Sequence, residues 1–290
     1  MPQPPIEGDS QNQFGIVIHG GAGTLLRSDM TPEMDAAYRQ LLQEAVTTGH
    51  AILASGGSST EAVEKTIHVM ENSPLFNAGK GAVLNAEGEI ELDASFMDGA
   101  RLDAGAIAGA RLIKNPISAA IAVMNNSPHV MLSSTGADRF AETQGLAMEA
   151  PDYFVTERRV QSLQRVQEEE SSTQANIQQK SPFYQQQRFG TVGCVALDQA
   201  GNLAAGTSTG GMTNKKWNRI GDAPIIGAGT YANNASCGIS ATGWGEYFIR
   251  SVVAHDIAAL VEYKGLSIQE AARLVIHEKV AKLGGDGGVV

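Results

Sequence analysis

The stretch Phe189-Gly190-Thr191-Val192-Gly193-Cys194-Val195-Ala196-Leu197-Asp198 decides the fold. Small and β-branched residues run without a charge up to Asp198, as in a buried strand, and Gln199-Ala200-Gly201-Asn202 then turns the chain into a partner strand from Leu203 to Thr207. The segment ahead of it has the opposite character. From about Glu157 to Arg188 the chain carries Glu168-Glu169-Glu170, Ser171-Ser172-Thr173 and glutamines at 161, 164, 167, 174, 178, 179, 185, 186 and 187. That composition offers too little apolar surface to offset the entropy of ordering, so residues 157–188 read as an exposed, mobile linker. A long polar linker ending where a buried strand begins is expected where a chain is meant to be cut.

Working toward the N-terminus, Asn115-Pro116 opens a short helix through Met124, and His129-Val130-Met131-Leu132 follows as a strand. Val83-Leu84 and Glu89-Ile90-Glu91-Leu92-Asp93 flank the turn Asn85-Ala86-Glu87-Gly88, a hairpin pattern. Ser58-Ser59-Thr60-Glu61 is a capping box for a helix ending near Asn72, and Thr31-Pro32 starts a longer helix to about Ser55. Phe14-Gly15-Ile16-Val17-Ile18 is a strand running into His19-Gly20-Gly21-Ala22-Gly23, with residues 1–13 a flexible tail. Toward the C-terminus, a helix runs from about Glu246 to Tyr263, and Ser267-Ile268-Gln269-Glu270 caps another to about Leu283. Gly284-Gly285-Asp286-Gly287-Gly288-Val289-Val290 reads as a turn entering a strand that never arrives.

Composition excludes several functions. The net charge is −10 and no basic stripe is present, which argues against nucleic acid as a partner. No apolar run reaches the roughly 18 residues of a membrane span, and the first ten residues lack the pattern of a signal peptide. Cys194 and Cys237 are too few for a disulfide framework or a thiolate metal site, so a cytoplasmic protein with two reduced thiols is expected. Gly20-Gly21-Ala22-Gly23 lacks the full dinucleotide-binding register, and Gly79-Lys80-Gly81 lacks the Ser or Thr of a phosphate loop. The six histidines are scattered without metal-ligand spacing, and no Gly-x-Ser-x-Gly elbow occurs.

What remains is threonine, glycine and paired charge between residues 189 and 247. A threonine hydroxyl needs a base before it attacks. Cleavage before Thr191 would free an α-amine of reference pKa about 7.7–8.0, a base on the same residue as the hydroxyl. Gly190 permits the backbone strain that self-cleavage requires. Read by itself, Thr191 is far more commonly just a β-branched residue opening a strand, and only its company points further. Its company is Ser208-Thr209-Gly210-Gly211-Met212-Thr213-Asn214-Lys215, then Arg219-Ile220-Gly221-Asp222, then Ala241-Thr242-Gly243-Trp244-Gly245-Glu246. Arg219 and Asp222 suit an amino-acid head group, the guanidinium taking the carboxylate as a fork and the carboxylate taking the ammonium, although a surface ion pair has the same spacing. Thr242-Gly243 at a strand-to-helix junction offers a hydroxyl and an N–H to an oxyanion, or an ordinary cap.

Together with Pro74-Leu75-Phe76-Asn77-Ala78-Gly79-Lys80-Gly81, Leu92-Asp93-Ala94, Met97-Asp98-Gly99 and the His19–Gly23 start, these segments resemble the plant-type asparaginase / isoaspartyl peptidase family of N-terminal-nucleophile hydrolases, over about residues 14–290. The resemblance implies an α+β fold, a four-layer αββα sandwich, in one domain cut between Gly190 and Thr191 into an α chain 1–190 and a β chain 191–290. It implies a dimer of such heterodimers and release of L-aspartate from β-aspartyl dipeptides and L-asparagine. Thr191 is then the nucleophile with its own amine as base, and Thr209 supports it. Arg219 and Asp222 hold the substrate head group with Gly245 near its ammonium, and Thr242 and Gly243 form the oxyanion hole. No catalytic cofactor is implied, but a structural Na⁺ is, held by backbone carbonyls among Met70, Glu71, Ser73, Phe76, Ala78 and Lys80. Family members continue past Gly287-Gly288 into further strands, which are expected to be missing here. A glycosylasparaginase-like or taspase-like specificity, or an uncleaved inactive binding protein, are the other readings the scaffold allows.

Overall fold

The layers are ordered by which side chains each strand turns to either face. The computed structural model describes residues 13–22, 30–174 and 190–290. Six strands form one sheet in the order β1 (Gly15–His19), β5 (Val192–Leu197), β6 (Leu203–Thr209), β2 (Leu92–Asp98), β3 (Asp103–Ala110) and β4 (Met131–Ser133). All neighbours are antiparallel except β3 and β4. A second sheet holds β7 (Thr230–Ala232), β8 (Gly238–Gly243) and β9 (Gly287–Val289).

Side chains alternate along a strand, so register settles which face each residue serves. On one face of the six-stranded sheet, Cys194, Gly206 and Ser208 meet helices α1 (Pro32–Ala54), α2 (Ser59–Glu71) and α3 (Pro116–Asn126), with Val63, Ile67 and Ile117 packed against Gly206. The other face turns Gly193, Val195, Ala205, Thr207 and Thr209 toward the second sheet. That sheet is covered outside by α7 (Val253–Lys264) and α8 (Ile268–Arg273), which runs on through a π-helical stretch, Leu274–Val280. The order is helix, sheet, sheet, helix: the αββα sandwich. Because β2, β5 and β6 are covered on both faces, nearly all their residues are buried, and β5 and β6 are runs of mostly small side chains.

The capped helices begin where their side chains dictate. Thr31 accepts from the Met34 N–H, Ser58 from the Glu61 N–H and Ser267 from the Glu270 N–H. The hairpin expected across 85–88 is reduced to one bridge, Leu84 to Ile90, and the strand proper starts at Leu92. The helix expected from Glu246 to Tyr263 is two: α6 (Gly245–Ser251) and α7, parted at Val252 with φ 50°. The closing glycine-rich segment does form a strand, β9, which pairs with Ala241, Thr242 and Gly243.

The linker reading needs correction over its first half. Residues Glu157–Gln174 form a helix, α5, after the short helix α4 (Ser134–Thr143). Leu163 and Val166 are buried, the half-buried Val160 packs on the core, and Arg159 donates from Nε to the Gly81 carbonyl at 2.6 Å. Three apolar residues at spacing three make a narrow stripe that the surrounding Gln and Glu hide in any composition average. Residues 175–188 of the expected linker lie outside the described residues.

Candidate active site

Thr191 stands immediately before β5 and is 7% exposed. Its Oγ1 lies 3.3 Å from Thr209 Oγ1, at the end of the neighbouring strand β6. Thr209 Oγ1 donates to the Gly190 carbonyl at 2.8 Å and accepts from the Gly211 N–H at 3.0 Å. The same Gly190 carbonyl accepts from Asn77 Nδ2 at 2.8 Å. Asn77 is itself anchored: Nδ2 also donates to the Gly211 carbonyl, and Oδ1 accepts from the Val83 N–H. The carbonyl before Thr191 thus faces two side-chain donors, an arrangement suited to a developing oxyanion. Asn77 was not singled out from the sequence, although it stands inside the quoted 74–81 motif.

The glycine loop after β1 bridges this centre to the second sheet. Gly21 has φ +112° and lies so close to the Thr191 N–H and carbonyl that a Cβ would not fit. The Ala22 N–H donates to Thr242 Oγ1 at 3.1 Å. Thr242 and Gly243 end β8, and the next turn starts α6 at Gly245, which packs against Arg219 Nη2 and Asp222 Oδ1 so tightly that only glycine fits. Thr191, Thr209, Thr242, Gly243, Gly245, Arg219 and Asp222, read from separate segments, are therefore linked into one contiguous site.

The charges there differ from expectation in one respect. Arg219 already closes its Nε and Nη2 on both oxygens of Glu246, each at 2.8 Å. The fork expected for a ligand is taken, leaving the Nη1–Nη2 edge. Glu246, adjacent to Gly245, was not anticipated; it is 46% exposed against 15% for Arg219. Asp222 is buried, and burial pushes its pKa up to about 7, opposed by the backbone around it and by Arg219. Its Oδ2 has no hydrogen-bond partner among the described residues. Asp93, opposite Thr209 in register, is buried likewise with its pKa raised by desolvation, offset in part by Lys215. His19, at the end of β1, is neutral near pH 7: burial lowers its pKa to about 4, against a smaller upward pull from the Thr191 backbone.

The segment from Met70 to Lys80 leaves α2 and coils on itself. Gly79, at φ +49°, packs against the Glu71 carbonyl, and Gly81 against the carbonyls of Phe76 and Pro74. The Ala78 carbonyl accepts from the Gly81 N–H at 3.2 Å, which leaves it a free lone pair, while the Met70 carbonyl accepts from the N–H groups of Asn72 and Ser73. Among the described residues no cluster of His, Cys, Asp and Glu could hold a metal, and no helix is long and apolar enough to cross a membrane. Both cysteines are free and buried.

An αββα sandwich that presents a threonine at the start of a central strand, its preceding carbonyl held by two donors, defines an N-terminal-nucleophile type of hydrolase. The chain belongs to the asparaginase family, whose model matches residues 12–290. It is 47% identical over 279 residues to an isoaspartyl peptidase of Salmonella typhimurium, covering 96% of this chain and 88% of that protein. It is 46% identical to the isoaspartyl peptidase of Escherichia coli, over 95% of this chain and 85% of the other. To the mouse isoaspartyl peptidase/L-asparaginase it is 40% identical, over 99% and 84%.

Proposed function

We propose that the protein cleaves itself between Gly190 and Thr191 and then releases L-aspartate from β-aspartyl dipeptides and from L-asparagine. The observation that carries this reading is the Gly190 carbonyl, held by Thr209 Oγ1 and Asn77 Nδ2 beside the Thr191 hydroxyl. In the first reaction Thr191 Oγ1 adds to the Gly190 carbonyl carbon, and the two donors stabilise the oxyanion. The C–N bond breaks as its electrons and a proton go to the Thr191 nitrogen, leaving an ester. Water hydrolyses that ester, giving a Gly190 carboxylate and a free Thr191 amine.

In the second reaction the amine takes the proton of Oγ1, which attacks the β-carbonyl of the substrate. Thr242 Oγ1 and the Gly243 N–H stabilise the oxyanion, the amine of the leaving group departs with a proton, and a β-aspartyl ester forms on Thr191. A second water releases L-aspartate. Arg219 offers its Nη1–Nη2 edge to the α-carboxylate while Glu246 holds the other edge; Asp222, beside Gly245, takes the α-ammonium. The closed-up carbonyls of residues 70–80 fit a hard monovalent cation, so Na⁺ bound by Met70, Glu71, Ser73, Phe76, Ala78 and Lys80 carbonyls would stiffen that loop and, through Asn77, the hole at Gly190. The working form is a dimer of cleaved heterodimers in the cytoplasm.

Thr191→Ala tests the first step. It should remain one chain by intact mass, because no hydroxyl is left to add to Gly190, while Thr191→Ser should still be cut. Two chains from Thr191→Ala purified with protease inhibitors would assign the cut to an outside protease.

A further inference from the structure

Between the two sheets lies a row of polar side chains that the reaction above does not use. Register places His19, Gly193, Thr207 and Ser95 side by side across β1, β5, β6 and β2. Facing them, Thr230 and Ser240 are paired on β7 and β8. The two rows interdigitate like a zipper: His19 Nε2 to Ser240 Oγ, 3.0 Å; Ser240 Oγ to Thr207 Oγ1, 2.7 Å; Thr207 Oγ1 to Thr230 Oγ1, 2.5 Å; Thr230 Oγ1 to Ser95 Oγ, 2.7 Å. Ser95 Oγ ends the series on the Ala223 carbonyl at 2.6 Å. Gly193 leaves the gap through which Ser240 reaches, since a Cβ there would overlap both Ser240 Oγ and His19 Nε2. The four hydroxyl residues are entirely buried.

The direction of this series follows from its protons. It has five links, and each hydroxyl brings one proton. At one end Ser95 Oγ donates, its proton shared between the Ala223 carbonyl and Thr230 Oγ1. Thr230 donates to Thr207, Thr207 donates to the Gly229 carbonyl at 3.2 Å, and Ser240 therefore donates to Thr207. The fifth link lacks a donor unless His19 carries its proton on Nε2. The Gly229 carbonyl also accepts from the Ala241 N–H at 2.8 Å, and its second lone pair takes the Thr207 proton. The other neutral tautomer would turn Nδ1–H toward the Thr191 backbone and claim the Ser240 proton, drawing the Thr207 proton off the buried Gly229 carbonyl.

We propose that His19, Ser240, Thr207, Thr230 and Ser95 form a continuous hydrogen-bond relay, converging on Thr207, that positions the clamp loop, holding the Ala223 carbonyl and thereby the neighbouring Asp222 carboxylate in register with Thr191. One end, His19, abuts the Gly20–Ala22 loop that touches Thr191; the other end is the residue after Asp222. These are positioning residues, since none contacts the reacting atoms. The relay spans the two sheets at the level where nucleophile and clamp must be aligned, and misalignment of a bound substrate is costly to rate and affinity alike.

The test has two arms, because the kinetic arm rests on the proposed hydrolase reading and the spectroscopic arm does not. Ring ¹⁵N shifts of the full chain, with each of the other five histidines replaced in turn to identify His19 by elimination, should show a neutral Nε2–H ring near pH 7. In Thr207→Val, where Ser240 loses its acceptor and can turn its proton to the ring, the pattern should move to Nδ1–H; Thr207→Ser should restore Nε2–H. An Nδ1–H or charged His19 in the wild type overturns the relay, whatever the protein hydrolyses. In the kinetic arm, Ser95→Ala and Thr207→Val should raise KM for a β-aspartyl dipeptide about tenfold with kcat changed much less, and Thr207→Ser should recover most of the loss. Unchanged KM in both variants, in a chain that hydrolyses the dipeptide, removes the positioning role. No hydrolysis by the wild type, with Nε2–H still observed, instead sinks the substrate reading alone.

Discussion

Arg219 and Asp222 sit three residues apart, and their surroundings pull them in different directions. Arg219 is half-screened and already paired to Glu246, whereas Asp222 is buried with one oxygen unpartnered. Burial lifts the Asp222 pKa to about 7, so in the free protein the carboxylate is lost as pH falls through that value. A ligand ammonium needs the ionised form. Binding of L-aspartate should therefore weaken about tenfold per pH unit below 7, and Asp222→Asn should bind poorly with that slope gone. Inhibition constants for L-aspartate across the range check this; a flat wild-type profile would place the ammonium elsewhere. Arg219→Lys keeps the charge but loses both the Glu246 fork and the second edge, and should raise KM strongly. Both variants should still arrive as two chains, since the Gly190 carbonyl is held by Asn77 and Thr209, not by the clamp.

At the scale of elements, α5 and the 70–81 loop support each other. Arg159 reaches from α5 to the Gly81 carbonyl, Gln167 donates to the Ala86 carbonyl at 3.0 Å, and Lys80 lies over the Tyr153 ring at 5.1 Å. The loop carries Asn77, so its stiffness sets the geometry of the donors at Gly190. If Na⁺ is bound there, exchanging it for a bulky organic cation at equal ionic strength should lower the melting temperature by several degrees, given the roughly 2–4 °C per kcal/mol expected for a chain of this size. A melting temperature indifferent to the cation would remove the ion from the loop.

For the whole molecule, the spacing of the two sheets is the controlling quantity. It is tight at Gly193, where Ser240 and His19 occupy the volume a side chain would need. Gly193→Ala should force the sheets apart and cost about 1–3 kcal/mol or more in urea unfolding, with hydrolysis falling alongside. Gly136 on α4 has open space about it and an ordinary backbone, so Gly136→Ala should be neutral or stabilising by up to about 1 kcal/mol. Equal effects from the two would mean that the interface relaxes freely and that Gly193 does not set its spacing.

Much of the site was legible in the sequence because its parts are local. Thr31, Ser58 and Ser267 cap their helices through bonds three residues long, and β5 and β6 are joined by the short turn 198–202. The residues Thr191, Thr209, Arg219, Asp222, Thr242, Gly243 and Gly245 stand in motifs readable one segment at a time. Tertiary structure decided what depends on partners distant in the chain. The glycine- and alanine-rich run Asp103–Ala110 has little strand propensity of its own and is a strand because β2 and α3 cover it. Helix α5 exists as a docked element because Leu163 and Val166 find the core and Arg159 finds a carbonyl 78 residues away. The Arg219–Glu246 pair, the Asn77 hold on Gly190, and the relay from His19 to Ser95 join positions up to 221 residues apart. No periodicity or local spacing encodes such contacts; they arise when two sheets are pressed together and every buried proton must find an acceptor.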